Sequence, residues 1–328
     1  MYFRRGRIIM ARRNRSKMKL QPAVTKMFFS VPLVGNSFID ISQCASIVNR
    51  RFYRQGLNWA VAGFKIHSSA TTRGQVTVFK IQDTWMASNA WQKGFALWNK
   101  MNEQVLDDQP SIKPKFHDFK IAMDTDHVAA GSFTFADNLI PFVQKADGTQ
   151  IEYNKGEWTR SLIEMPNDQG VPGDTVGYAI KMHGADTTSS KALIQGYADS
   201  RSVPTQPDPV TQGGADTGWM NNIFDVGDSH EEIVFNLQTI GEDLPYDKFE
   251  YPGAAANGSE PQVHAIGILT ESTVGGQTML EGGNFQCGLV KIVTDLEDRE
   301  GEAEAVDLEL ILVPGTHRGY LCEPMQEV

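Results

Sequence analysis

Asp307-Leu308-Glu309-Leu310-Ile311-Leu312 sets a leucine at every second position. Successive side chains of an extended chain point to opposite faces, so this spacing predicts a strand whose even positions face a core. Val76-Thr77-Val78-Phe79-Lys80-Ile81 repeats the pattern, with Val76 and Val78 on one face and Thr77 and Phe79 on the other. With these two, strand-like runs lie at 26–33, 58–66, 75–81, 116–123, 158–165, 177–182, 232–239, 262–270, 287–294 and 306–313. Clusters of Gly, Pro, Asn and Asp separate them, as at 166–173, 204–209 and 251–253. Only 83–104 reads as a clear helix. There Trp91, Phe95, Trp98 and Met101 form an apolar stripe, and Asp83 or Thr84 serves as the cap. A second short helix is expected at 189–197. About ten strands with one or two short helices predict an all-β fold, an antiparallel sandwich or barrel. The connections 124–157 and 199–230 read as long loops projecting from it.

The chain has 328 residues, 41% of them hydrophobic, enough for one large core or two smaller ones. No apolar run approaches the roughly 18 residues of a membrane span, and Ile8, Ile9 and Met10 are too short for the apolar region of a secretory signal. Cys44, Cys287 and Cys322 are odd in number and far apart. They predict buried free thiols in place of a disulfide framework or metal site.

Charge is distributed unevenly. Residues 1–54 hold 12 Lys or Arg and one acid, Asp40, for +11; residues 55–328 hold 18 basic and 39 acidic residues, for −21. Arg4, Arg5, Arg7, Arg12, Arg13, Arg15, Lys17, Lys19 and Lys26 fall in the first 26 residues without an acid. Such a segment repels itself and buries too little to offset its ordering entropy, so 1–26 is expected to be a disordered or extended arm and 27–328 the folded domain. Lys and Arg neutralise phosphates and release counterions, which gives salt-sensitive, sequence-independent nucleic-acid binding. Tyr2 and Phe3 add rings on which bases can stack. A second use for such a cluster is a localisation signal. Arg50, Arg51 and Arg54 form another basic cluster, either lining the surface where the arm leaves the body or carrying ordinary surface charge.

Other chemistry is thin. Asp124-Thr-Asp126-His127 and Asp295-Leu-Glu297-Asp298 are oxygen-rich but fit no calcium-loop pattern, and solvated loops are expected there. The acids from Asp295 to Glu309 are expected to form a solvated loop and an acidic outer surface. No nucleophile elbow, phosphate loop, dinucleotide fingerprint or zinc-protease motif occurs, and the seven histidines are scattered. No enzyme, no metal and no cofactor is expected.

Several stretches, taken in order, carry a resemblance. After the Arg-rich arm come Gly56-Leu-Asn-Trp-Ala-Val-Ala-Gly-Phe-Lys-Ile66, Gly74-Gln-Val-Thr-Val-Phe-Lys-Ile-Gln-Asp-Thr-Trp85 and Ser88-Asn-Ala-Trp-Gln-Lys-Gly-Phe95. Ala192-Leu-Ile-Gln-Gly-Tyr-Ala-Asp-Ser-Arg201 and Glu281-Gly-Gly-Asn-Phe-Gln-Cys-Gly-Leu289 follow. The chain resembles the capsid proteins of small circular Rep-encoding single-stranded DNA viruses. The resemblance implies a jelly-roll β-sandwich that self-assembles into an icosahedral shell. The implied partners are further copies of the chain and a single-stranded DNA genome held by the basic arm. The implied location is the virion, with assembly in the host nucleus or cytoplasm and no membrane. The arm is shorter than many in that family. Sixty copies would bring about 540 arm charges, enough for part of a genome of a few kilobases. Competing expectations are a lectin-like binding sandwich, a sandwich hydrolase using paired carboxylates, and a cellular nucleic-acid-binding protein that builds no shell.

Overall fold

A computed structural model describes residues 23–107, 118–131, 138–156, 158–166, 175–200, 251–270, 276–301 and 303–328. The expected strand at 232–239 and most of the expected loop at 199–230 lie outside these residues, as does the arm through residue 22.

Thirteen strands are used below: β1 (Lys26–Pro32), β2 (Val34–Asp40), β3 (Leu57–His67), β4 (Thr72–Lys80), β5 (Phe142–Gln144), β6 (Gln150–Glu152), β7 (Leu162–Pro166), β8 (Thr175–Lys181), β9 (Ser190–Ala192), β10 (Gln262–Leu269), β11 (Gln277–Phe285), β12 (Leu289–Asp298) and β13 (Ala305–Leu312). Two sheets form the sandwich. One runs β11-β3-β13-β1-β5-β6, with the C-terminal strand Cys322–Pro324 also paired to β3; the other runs β10-β4-β12-β2. Every neighbouring pair in both is antiparallel.

Alternation delivers the core. Leu308, Leu310 and Leu312 are buried, as their spacing predicts, and Val76 and Val78 face them from the second sheet. Met27, Phe29, Val31, Trp59, Phe64, Val290 and Ile292 complete the layer. Each fully buried side chain of this size contributes roughly 1.5–3 kcal/mol of transfer free energy. The phase along β3 shifts between Val61 and Phe64, where the register against β13 slips by one residue; the shift keeps inward residues inward across a bulge. Gly74 shows how closely the strands approach: its φ is +131°, and a Cβ there would lie 2.1 Å from the Asp295 carbonyl oxygen.

The opposite face of β4 and β12 is also covered, by parts of the segment 81–261. Here α2 (Trp85–Leu106) follows the expected helix closely, and the Thr84 hydroxyl caps it by accepting from Ala87 N at 3.3 Å. Trp91 and Trp98 are buried, with Phe95 and Met101 packed beside them. They join Ile121, Met123, Ile180, Met182 and Ile194 with Leu289 and Met325 in a second core. The connection 124–157 is not irregular throughout its described residues, although 143–152 is exposed. It holds α3 (Thr125–Gly131) and the β5–β6 hairpin, which extends the first sheet beyond β1 through Phe28 and Phe142.

Other expectations need correction. Four helices occur among the described residues, not one or two short ones: α1 (Ile41–Asn49), α2, α3 and α4 (Leu193–Asp199). Of these, α2 has 22 residues, and α4 is preceded by the short strand β9 where 189–197 was expected to be helical throughout. The expected strand at 116–123 is, over 118–123, a buried extended run with one isolated bridge, Ala122 to Lys181. Its amides bond mainly outside any ladder: Lys120 N donates to Ser161 Oγ at 2.9 Å, Ile121 N to Gln55 Oε1 at 2.6 Å, and Ala122 N to Ile180 O at 2.8 Å. The edge of β8 meets the run only at Ala122, where Ala122 N and O bond Ile180 O and Met182 N; the amides on either side turn to side chains, so no ladder propagates. The arm boundary also moves, because Lys26 opens β1.

Because neighbouring strands are antiparallel, their connections fall alternately at two ends of the sandwich. One end holds the turn at Leu33, the turn at 68–71 and the acidic β12–β13 connection. The other holds α1, the loop 50–56, the point where the chain leaves β4 for the segment 81–261, the turn 286–288 and the start of β1.

Candidate nucleic-acid interface

Asp40 closes β2 and caps α1, accepting from Ser42 N at 2.9 Å and Gln43 N at 3.1 Å. It also accepts from Gln55 Nε2 and Trp158 Nε1, both at 2.9 Å. Burial raises its pKa to about 6 against the pull of these four hydrogen bonds. α1 ends at Arg50, whose φ of 53° and ψ of 37° are left-handed. A side chain there costs on the order of 1 kcal/mol that glycine would avoid.

The next residues alternate. Tyr53 and Gln55 are buried, whereas Phe52 and Arg54 are exposed. Tyr53 packs against Trp59 and Tyr320, and its hydroxyl donates to Arg318 O at 3.1 Å. Gln55 bonds both the N–H and the carbonyl of Ile121. Arg318 Nη1 donates to Phe52 O at 2.7 Å. These anchors hold the outward side chains of the loop on a fixed backbone.

The loop forms one wall of a cleft of about 850 Å³. Lys120, Lys155, Trp158 and Arg160 form a second wall, and Trp98 and Met101 of α2 a third. Six cations (Arg50, Arg51, Arg54, Lys120, Lys155 and Arg160) face two acids, Asp118 and Glu164. Lys120 pairs with Asp118, and its ammonium lies 4.5 Å from the Trp158 ring centroid and 5.8 Å from that of Phe52. Burial raises the Asp118 pKa, opposed by Lys120 and Arg54. Arg160 donates to the carbonyls of Val128 and His127. The arrangement supplies fixed positive charge beside aromatic rings, the combination that takes phosphate and base together.

The chain enters the fold at this end. Val24 N donates to Asn49 Oδ1 at 3.1 Å, and the Tyr320 hydroxyl donates to Val24 O. Ala23 and Val24 line a smaller recess with Arg51 and Arg318. The segment carrying Arg4, Arg5, Arg7, Arg12, Arg13, Arg15, Lys17 and Lys19 lies outside the described residues but joins the body here. Arg50, Arg51 and Arg54 do come together on the cleft. Lys26 does not join them: its ammonium pairs with Glu309 Oε1 at 2.8 Å on the outer face of the first sheet. Sequence reasoning missed Phe52, Lys120, Lys155, Trp158 and Arg318. The basic–aromatic alternation of Arg50-Arg51-Phe52-Tyr53-Arg54 was a local signal for Phe52; the others come from distant segments and carried none.

The oxygen-rich groups are not solvated loops. Asp124 is buried, and with Asp126 it holds Lys291 of β12 at 2.6 and 2.8 Å. Burial alone would lower the Lys291 pKa, but the hydrogen bonds to the two carboxylates outweigh it and raise it. Beside them His127 stacks on Phe38 at 4.2 Å and bonds Asn138, and burial pushes its pKa down to about 3. Asp295, Glu297 and Asp298 sit within β12, and Glu309 is buried between Lys26 and His67. The acidic outer surface is present in part, with Asp295 and Glu297 exposed on β12 and Glu300 and Glu304 exposed beyond it; of the expected loop, 299–301 and 303–304 are described outside any strand. Among the described residues, no group of three or more metal-ligating side chains is gathered, and no helix is long and apolar enough to cross a membrane. Cys44 and Cys287 are buried and Cys322 partly so, all free.

The fold and cleft define an all-β sandwich with a basic, aromatic-lined end. Comparison with protein-family models, curated proteins and solved structures finds no match.

Proposed function

We propose that this chain is a viral capsid protein of the circular Rep-encoding single-stranded DNA type. In this proposal it is a structural protein and not an enzyme. It assembles with further copies into an icosahedral shell and packages single-stranded nucleic acid, and its place is the virion. The finer fold proposed is a jelly roll. It is supported by the strand order: β1-β13-β3-β11 faces β2-β12-β4-β10, and the chain alternates between the sheets except at the β4–β10 step.

The observation that carries the function is charge polarity along the sandwich. The Arg-rich arm joins the body at the end that bears the Arg50, Arg51 and Arg54 cleft, while Glu297, Glu300 and Glu304 stand at the opposite end, with Arg73 and Arg299 among them. A protein that surrounds a polyanion needs cations on the side facing it and gains from acids on the side facing away.

Electron microscopy of the purified full-length protein, with the 260/280 nm absorbance ratio of the same fraction, tests this. Uniform closed particles with a high ratio are expected. Monomers or small oligomers across several salt and pH conditions would overturn the shell; a high ratio in such a fraction would leave a nucleic-acid-binding protein without one.

A further inference from the structure

The cleft has two features that neutralising a phosphate backbone does not require. Phe52 remains 49% exposed although its backbone is held on both sides. Arg50 keeps a left-handed conformation in which glycine would be relaxed. Each is a local cost, and each becomes useful if the side chain meets a ligand. The ligand chemistry follows from shape. A duplex keeps its bases stacked inside and presents phosphates on a convex surface, which a flat basic patch meets well. A concave site with a ring among cations suits a base turned out of its strand, stacked on the ring while its phosphates meet the cations.

We propose that the cleft binds one unstacked nucleotide within a single strand, its base against the Phe52 ring and its flanking phosphates on Arg50 and Arg54. The proposal rests on the packaging function above and adds which form of nucleic acid the folded body takes, and where. Every base has a π-face, so the site is tolerant of sequence. Arg50 and Arg54 both line the cleft, and Asp118, the acid that Arg54 acts on, is already paired with Lys120.

The test uses the full-length protein and fluorescence anisotropy, with a labelled oligothymidylate and a duplex of equal length at fixed ionic strength. Phe52→Ala is expected to weaken single-strand binding about tenfold, the loss of one base stack, while changing duplex binding less than about twofold. Phe52→Trp keeps a ring and is expected to retain single-strand affinity. Arg50→Gly relaxes the backbone and is expected to leave the fold intact while reducing the salt slope for the single strand by about 0.7. An unchanged single-strand affinity in Phe52→Ala, or an equal loss on both substrates, would overturn the proposal. Full competition by thymidine monophosphate at the strand's own saturating concentration would assign the cleft to a free nucleotide and overturn it as well. If wild-type protein binds neither substrate and forms no particles, packaging itself fails; if it binds and assembles but ignores Phe52→Ala, only the cleft assignment fails.

Discussion

The two ends of the sandwich carry charge in opposite ways. At the acidic end, ionic groups stand in water: Arg73 and Glu297 pair at 2.8 Å with side chains 52% and 67% exposed. At the other end, Asp40, Asp124, Lys291, Asp118, Lys120 and Arg160 are taken inside, and each is met by oriented partners. Solvent screens the first kind, so geometry matters little there. The second kind survives only where partners close around it, because an unpaired buried charge costs several kcal/mol. The difference teaches where the molecule is rigid. The buried network ties β2, β12, α3 and the loop 50–56 together, and it holds the outward-facing cations and Phe52 in place.

Removing one member of the network should give the largest effect. Asp124→Ala leaves Lys291 with only the half-exposed Asp126 and also removes the bond from His127 N that starts α3. A stability loss of about 3–5 kcal/mol is expected in chemical denaturation. Asp124→Asn keeps the helix cap and should recover about 1 kcal/mol of that loss. A loss under about 1 kcal/mol for the alanine variant would break the contrast between the ends.

Asp40 gives the next effect, through pH. Its carboxyl titrates at about 6 in the fold against 3.8 in the unfolded chain, because burial disfavours the charge. The folded state therefore binds the proton more tightly, and this group's contribution to stability rises as pH falls from 7 through 6 towards 4. The gain approaches about 3 kcal/mol. Denaturation at several pH values should show that Asp40→Asn lacks this rise relative to wild type. Parallel pH profiles for the two proteins would remove Asp40 as the source.

Glu297→Ala at the acidic end should do least, changing stability by under about 0.5 kcal/mol. A loss above 1 kcal/mol would make the exposed end as demanding as the buried one.

Much of the sandwich was legible. Leu308, Leu310 and Leu312 named their own buried face, as did Val76 and Val78, because a strand's period of two is a local property of the backbone. The stripe Trp91, Trp98 and the cap Thr84 were equally local and announced α2. The Arg-rich arm and the cluster at 50–54 stood out because like charges were adjacent in sequence. What escaped was everything whose meaning depends on a distant partner. Asp124 and Asp126 looked like a solvated pair until Lys291, more than 160 residues away, was brought against them. Residues 118–123 looked like a strand, and the cleft wall of Lys120, Lys155 and Trp158 looked like nothing in particular. Taken alone, the amino-acid sequence determined which residues face inward, the one long helix and the polarity of charge, since these follow from spacing and composition. Only the tertiary structure decided which buried charges pair and where cations and rings meet in one cleft, since any of many polar side chains could satisfy a given group and only the folded path selects one.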